Sequence, residues 1–223
     1  TLYAHTLDWI NKRPADQPWM LTVMTVSSHQ PFLDPETLKP DIENAFRYAD
    51  KQAAQFVQNL RNSGYFDDGM LLIVGDHRSM TPLTSAEEDK FGRAALSRVP
   101  MILMGYGSTG VHQGTFQQAD LLPSFKHWLS DEYCYRGRMV SLFSPESRGD
   151  CALHIRGARP SLIDVNCPDG NGLVELNGDN TRFIENAGIP EDQAADVLRV
   201  IARERLAGEK RHQAHMRRLD DSK

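Results

Sequence analysis

A chain of 223 residues is long enough for one domain of ordinary size, or for one domain with a small appendage. Its hydrophobic content of 40% and charged content of 25% are typical of globular proteins, and its formal net charge of -5 gives no general attraction for nucleic acid. No apolar run approaches the roughly 20 residues that a membrane-spanning helix needs, and no signal peptide is evident.

The chain opens with a predicted helix and a predicted buried strand. Residues 3–12 carry apolar positions at helical spacing, and a linker marked by Pro14 and Pro18 follows. Trp19–Val26 is a continuous apolar and β-branched run, which is typical of a strand buried on both faces in a parallel sheet. Because the chain lacks an initiator Met and begins inside the predicted helix, we interpret it as a piece of a longer protein.

Helices and strands continue to alternate as far as residue 129. Residues 42–63 carry apolar side chains at helical spacing, and Gly64 follows where a left-handed residue commonly ends a helix. Short apolar runs at 70–74 and 99–104 predict strands, and residues 118–129 predict an amphipathic helix. This order predicts an α/β fold with a mostly parallel sheet flanked by helices.

The pattern changes after residue 150. Short alternating stretches separated by turn residues predict a small antiparallel meander. These stretches are 153–156, 161–165, 172–176 and 181–184. A long charged helix is predicted over residues 190–219, opened by Pro190. We therefore divide the chain into residues 1–150, which carry the α/β fold, and residues 151–223, an antiparallel sheet with the C-terminal helix packed on it.

Metal-competent side chains follow the first two predicted strands. Ligands of open parallel sheets bind beyond the carboxyl ends of the strands, which selects His29 and the pair Asp76-His77. Carboxylate and neutral imidazole suit a divalent metal such as Zn²⁺ or Mn²⁺, and Gly75 permits the turn that brings both to one ion. The simpler alternative makes Asp76 a turn residue, His77 a cap or loop histidine, and His29 part of a polar turn.

The same residues lie in a longer pattern of motifs. They are Ser28–Phe32, Phe46–Asp50, Phe56–Leu60, Ser63–Asp68, Leu72–His77, Arg98–Leu103 and Gln118–Ser124. Together they resemble the sulfatase-like phosphoglycerol transferases of the alkaline-phosphatase superfamily, which include the lipoteichoic acid synthases and the periplasmic-glucan phosphoglycerol transferases. The resemblance covers about residues 1–130 and implies that they are the C-terminal half of the catalytic domain.

The resemblance implies a metal site that this chain supplies only in part. In the family, a Glu and a nucleophilic Thr from the N-terminal half join an Asp-His pair, to which Asp76 and His77 correspond. His29 corresponds to a histidine that contacts the phosphoglycerol group of the substrate. Arg78 departs from the family pattern, and it either binds a phosphate or sulfate oxygen or lies in a surface salt bridge. The implied cofactor is a divalent metal: Mn, Zn or Mg.

The function implied is a metal-dependent transferase or hydrolase acting on a phosphoglycerol-bearing lipid or glycan. The metal would activate the Thr hydroxyl and neutralise charge on the transferred group. Because the Thr and Glu lie outside this chain, we expect it to be inactive alone and to need the N-terminal half of its parent protein. The alternatives are a sulfatase and a catalytically inactive regulatory or lipid-binding module on the same fold.

The resemblance also implies an extracytoplasmic location, in the periplasm or on the outer face of the inner membrane, in a parent protein that is membrane-anchored. Disulfides persist in such compartments. Cys134, Cys151 and Cys167 fit no zinc motif. We expect Cys134 to pair with Cys151 and to close the polar segment 135–150, with Cys167 unpaired. Pairing of Cys151 with Cys167 across two meander strands is the competing arrangement, and three reduced thiols are the remaining one.

Overall fold

The structure is a computed structural model, and it describes residues 1–220 except 15, 106, 108, 112–114, 131–140, 144–150, 158 and 179. The chain forms two compact units, which are described separately. The first comprises Thr1–Pro82 and Arg98–Thr109, and the second comprises Leu83–Ser97 and Gly110–Lys223. The division at residue 150 stays a prediction, because residues 144–150 lie outside the described ranges.

Two helices carry most of the buried residues of the first unit. Helix α1 spans Leu2–Asn11, and helix α2 spans Ile42–Asn62 and begins after Asp41, whose carboxylate accepts the backbone N–H of Asn44. The ring of Tyr3 on α1 stacks on that of Phe56 on α2, with centroids 4.7 Å apart. Both helices confirm the sequence prediction, and Gly64 takes the expected left-handed conformation after α2.

The parallel sheet predicted for the first unit is not observed among the described residues. Strands β1 (Leu71–Val74) and β2 (Met101–Met104) pair antiparallel, with Leu71 opposite Met104. Trp19–Val26 forms no strand, and within it Met20 is 82% exposed. The prediction was wrong on this point because an apolar β-branched run indicates a tendency to be buried but does not specify its partner strand or the direction of pairing.

The second unit contains the predicted antiparallel meander. Its four strands are β3 (Ala152–Arg156), β4 (Arg159–Asn166), β5 (Asn171–Asn177) and β6 (Asn180–Ala187), in the spatial order of the chain. Its helices are α3 (Ser85–Phe91), α4 (Leu121–Leu129) and α5 (Glu191–Asp220). One face of the sheet forms a core with α5 through Val165, Val174 and Val197, each no more than 1% exposed. Burial of this β-branched face explains why the alternating pattern predicted these strands correctly.

An ion-pair network lies on the other face of the meander. The carboxylate of Asp164, 4% exposed, accepts from Nε of Arg156 at 2.8 Å and from Nη2 of the same side chain at 2.7 Å. Arg93, in the segment Leu83–Ser97, donates to Asp164 at 3.1 Å and to Glu185 at 3.0 Å. The network therefore ties the segment that connects β1 to β2 in sequence onto the C-terminal sheet.

The disulfide joins Cys151 to Cys167, so the favoured pairing of Cys134 with Cys151 was wrong. The two cysteines flank the paired residues Ala152 and Asn166 at the end of the β3–β4 ladder, and their Cα atoms are 4.1 Å apart. Register therefore decides the pairing, because antiparallel strands bring residues 16 positions apart face to face. Cys134 lies outside the described residues.

Loss of this disulfide should destabilise the second unit. In the chain-entropy description, a bridge across a loop of this length stabilises by about 3 kcal/mol. The double variant Cys151→Ser/Cys167→Ser should unfold at a correspondingly lower urea concentration, and reduced wild-type protein should match it. Thiol titration of the unreduced, denatured wild type should find one free thiol, at Cys134. Three free thiols in protein made in an oxidising compartment would contradict the assignment.

Within the part of the chain that the structure describes, no helix combines the length and the apolar composition that a membrane span requires.

Candidate functional site

The Asp76-His77 pair stands directly at the end of β1. The backbone N–H of Gly75 donates to the carbonyl of Pro100 at 3.1 Å, which continues the contact between the β1 and β2 chains by one residue. A Cβ atom at Gly75 would lie 3.2 Å from the Cβ of Val99, so a larger residue would crowd the neighbouring chain. The chain then turns outward, and the side chains of Asp76 and His77 are 83% and 53% exposed.

Hydrogen bonds select one tautomer for the neutral His77 ring. Its Nδ1 lies 2.7 Å from the carbonyl oxygen of Arg78. Because a carbonyl can only accept, Nδ1 must carry the proton, and Nε2 of the neutral imidazole then presents a lone pair. The backbone N–H of His77 also donates to Oδ1 of Asp76 at 2.8 Å, which fixes the carboxylate beside the ring.

The donor atoms of the pair suit a shared cation. Nε2 of His77 and Oδ2 of Asp76 are 3.5 Å apart. Two ligand atoms on one tetrahedral zinc ion lie about 3.4 Å apart, given metal–ligand distances near 2.1 Å. Because both side chains are exposed, the repulsion between the Nε2 lone pair and the carboxylate oxygen is weak, and a cation placed between the two atoms would attract both. The pair therefore fits two positions of a divalent-metal site.

Further ligands for such a site are not found among the described residues. No group of three or more His, Cys, Asp or Glu side chains is placed to hold a metal ion anywhere in the described ranges. Metal ions of this type take four or more ligands in stable sites. A metal ion held by Asp76 and His77 would therefore need ligands beyond these two side chains.

His29 lies in a tight turn that follows the apolar segment Trp19–Val26. Its backbone N–H donates to the carbonyl of Val26 at 3.0 Å, and its own carbonyl accepts from Phe32 at 2.8 Å. Its Nδ1 lies 2.8 Å from the carbonyl of Gln30, so neutral His29 has the same tautomer as His77 and presents Nε2. That His29 shares a site with Asp76 and His77 stays a prediction.

Asp34 organises the loop that follows His29, and the sequence analysis missed it. Its carboxylate accepts from the backbone N–H of Glu36 at 2.9 Å and from the hydroxyl of Thr37 at 3.1 Å. Its main chain also pairs with Lys39 and Leu38. The Asp34-Pro35 dipeptide is a turn signal that could have identified it. The hydrogen bond from Glu36 is the main reason that the pKa of Asp34 lies below its ordinary value.

The lowered pKa of Asp34 predicts acid-sensitive stability. Because the folded-state pKa lies below the unfolded-state one, the contribution is fully present above about pH 4 and is lost as the pH falls through the folded-state value. Asp34→Asn removes this titration and weakens the loop. The urea midpoints of wild type and variant should therefore differ at neutral pH and converge as the solution is acidified below about pH 4. A difference that is independent of pH would contradict the assignment.

Arg78 turns its guanidinium toward the backbone of its own loop. Nη1 donates to the carbonyls of Ser79 at 2.8 Å and Thr81 at 2.7 Å, and Nη2 reaches the carbonyl of Pro82 at 3.4 Å. This arrangement was not foreseen, because a lone Arg after an Asp-His pair carries no sequence signal for bonds to its own loop. The predicted contact of Arg78 with a phosphate or sulfate group stays a prediction.

Comparison with known proteins identifies the family to which the chain belongs. Residues 1–131, more than half of the chain, match the sequence model of the family described as Sulfatase, and the chain belongs to that family. The sulfatase family is one of enzymes with an alkaline-phosphatase-like α/β fold, and its members generally use a divalent metal. The matched region includes His29, Asp76 and His77.

The curated relatives that it matches are lipoteichoic acid synthases and a related protein. Lipoteichoic acid synthase 1 of Bacillus subtilis is 27% identical over 132 residues, which cover 50% of this chain and 21% of that protein. Lipoteichoic acid synthase-like YvgJ of the same organism is 25% identical over 141 residues, which cover 52% of this chain and 23% of that protein. The Staphylococcus saprophyticus lipoteichoic acid synthase is 27% identical over 147 residues, which cover 56% of this chain and 22% of that protein.

These matches confirm the resemblance stated from the motifs, that to the sulfatase-like phosphoglycerol transferase family. The aligned region amounts to about a fifth of the length of the curated relatives. No solved structure matches the chain.

Proposed function

We propose that this chain is the metal-binding C-terminal part of a sulfatase-family enzyme that transfers phosphoglycerol. The observation that carries the proposal is the Asp76-His77 pair, whose Oδ2 and Nε2 atoms face each other at 3.5 Å directly after β1. The family match makes a metal-dependent ester-cleaving site the natural use of such a pair. Two of the relatives are named as lipoteichoic acid synthases, and the resemblance to the sulfatase-like phosphoglycerol transferases favours phosphoglycerol as the transferred group.

The proposal gives each side chain a defined task. Asp76 and His77 hold the divalent metal, whose identity among Mn, Zn and Mg stays open; the bound metal would supply charge neutralisation and a more acidic nucleophile hydroxyl. His29 contacts the glycerol phosphate through Nε2, accepting a hydrogen bond from a hydroxyl when neutral or donating one to a phosphate oxygen when protonated. The nucleophilic Thr and the Glu ligand come from the N-terminal half of the parent protein.

The substrate in this proposal is a lipid or glycan that bears phosphoglycerol. Such a substrate fits a parent protein that is membrane-anchored and has its catalytic domain outside the cytoplasm. The Cys151–Cys167 disulfide supports that location, because disulfides form and persist in oxidising compartments. The weakly acidic net charge of -5 gives no reason to include nucleic acid among the partners.

A direct test compares two substrate classes with the intact parent protein. The parent, loaded with Mn²⁺, should release or transfer glycerol phosphate from a phosphatidylglycerol vesicle, and it should leave an aryl sulfate ester largely unchanged. Chelation of the metal should remove the activity, and Mn²⁺ should restore it. The 223-residue chain alone should show no turnover of either substrate, since the proposed nucleophile lies outside it.

The alternatives predict different outcomes of the same test. Preferred cleavage of the sulfate ester would identify a sulfatase and overturn phosphoglycerol transfer. No turnover of either substrate by the folded, metal-loaded parent would favour a regulatory or lipid-binding module on the same fold. Metal-dependent turnover by the 223-residue chain alone, abolished by His77→Ala, would show that its site is already complete.

A further inference from the structure

The guanidinium of Arg78 forms hydrogen bonds with the backbone of the loop that follows the Asp-His pair. It is half-buried and bonds the carbonyls of Ser79, Thr81 and Pro82, at 2.8, 2.7 and 3.4 Å. A planar guanidinium with five fixed N–H donors is suited to bridge several carbonyls at once. These bonds hold residues 79–82 folded around the side chain.

The main chain of the same residue orients His77. The Arg78 carbonyl accepts the Nδ1 proton of His77 at 2.7 Å. That carbonyl belongs to the peptide unit that joins Arg78 to Ser79, and the carbonyl of Ser79 is one of those bound by the guanidinium. The guanidinium bond to the Ser79 carbonyl therefore restrains the chain directly after the peptide unit whose carbonyl contacts the His77 ring.

We propose that Arg78 is a positioning residue, which fixes the tautomer of His77 through the loop 79–82. By holding the Arg78 carbonyl against Nδ1, it directs the lone pair of Nε2 toward Oδ2 of Asp76. Partners that set the tautomer of a ligand histidine typically change metal affinity 10- to 100-fold when removed. The metal-related consequence rests on the proposed function, whereas the tautomer is a property of the folded chain.

The test is ¹⁵N NMR of the histidine side chains in the metal-free 223-residue chain at alkaline pH, where imidazole is neutral. Wild-type His77 and His29 should both carry the proton on Nδ1. Arg78→Ala should convert His77 to a mixture of tautomers and leave His29 unchanged. Ser79→Ala is the matched control in the same loop, because the Ser79 hydroxyl oxygen is buried without a hydrogen-bond partner among the described residues. It should leave both rings as in the wild type.

A second variant keeps the proposal testable if Arg78→Ala does not fold. Arg78→Lys retains the positive charge and the aliphatic part of the side chain. Its compact ammonium cannot bond several carbonyls in the planar arrangement of a guanidinium, so His77 should still show both tautomers. In a folded variant, Zn²⁺ titration followed at the His77 resonances should show an affinity about tenfold lower than in the wild type. Ser79→Ala should bind Zn²⁺ as the wild type does.

Three results would overturn the proposal. They are a wild-type His77 protonated on Nε2, an unchanged Nδ1–H tautomer in the folded Arg78 variants, and a saturable shift of the Arg78 guanidinium resonances on adding inorganic phosphate. The last would assign Arg78 to anion binding instead. An inactive parent enzyme would leave the tautomer measurement unaffected, so this proposal and the proposed function fail separately.

Discussion

On the proposed function, His77→Ala and Asp76→Ala should each reduce the activity of the metal-loaded parent protein by about a thousandfold or more. Removing one ligand weakens metal binding and forfeits several kcal/mol of transition-state charge stabilisation, and each 1.4 kcal/mol corresponds to a tenfold change in rate. The measurement is the initial rate of glycerol phosphate release at saturating Mn²⁺. Circular dichroism should show little change, because both side chains are exposed.

Matched controls come from helix α1. His5 and Asp8 are exposed residues of the same chemical types, and the surface pair of Asp8 with Lys12 is worth little stability. His5→Ala and Asp8→Ala should retain the activity of the wild-type parent. Full activity of His77→Ala at limiting Mn²⁺ would remove His77 from the metal site.

Gly105→Ala should destabilise the first unit by about 3 kcal/mol or more. Gly105 has φ +86°, and a Cβ atom there would lie 2.1 Å from the carbonyl oxygen of Gly69 and 3.1 Å from Cα of Met70. Both obstacles are backbone atoms just before β1, so no side chain can move to relieve the overlap. The expected result is a lower urea midpoint and a weakened β1–β2 pairing, since Gly105 and Gly69 adjoin the Leu71–Met104 end of that ladder.

Gly107→Ala is the control that measures the cost of a left-handed backbone conformation without steric overlap. Gly107 has φ +80°, and a Cβ atom there meets no described atom within 4 Å. Its substitution should therefore cost only the conformational strain, about 1 kcal/mol. Equal destabilisation by the two substitutions would show that the approach of Gly105 to Gly69 contributes nothing.

Local sequence patterns predicted the meander and helices α1, α2, α4 and α5, because their signals are complete within a short stretch. The short helix α3 was not predicted. The helix over residues 42–63 has its apolar spacing, its cap and Gly64 in one segment, and it formed as α2. The four strands from Ala152 to Ala187 pair in sequence order, and a slip of one residue would move Val165 and Val174 out of the core that they form with α5. Such elements need little information from distant residues.

The candidate site was predictable in its residue types but not in its internal geometry. Asp76 and His77 were singled out because they follow an apolar run after which the chain turns, and the structure places them at the end of β1. The bonds that set the His77 tautomer depend on the carbonyl of Arg78 and on the folded loop that follows. Backbone carbonyls belong to every residue, so their use as hydrogen-bond partners leaves no signature in the sequence.

By itself, the sequence determined the family, the place of the Asp76-His77 pair after an apolar strand and most of the local elements, since each depends on side chains close together in the chain. Only the tertiary structure decided which strands pair, in which direction, and which cysteines meet. Trp19–Val26 has a strand-like composition but no strand partner among the described residues, and Cys151 meets Cys167 because β3 and β4 align them. Pairing brings together residues far apart in the chain, and composition specifies how readily a segment is buried rather than against what.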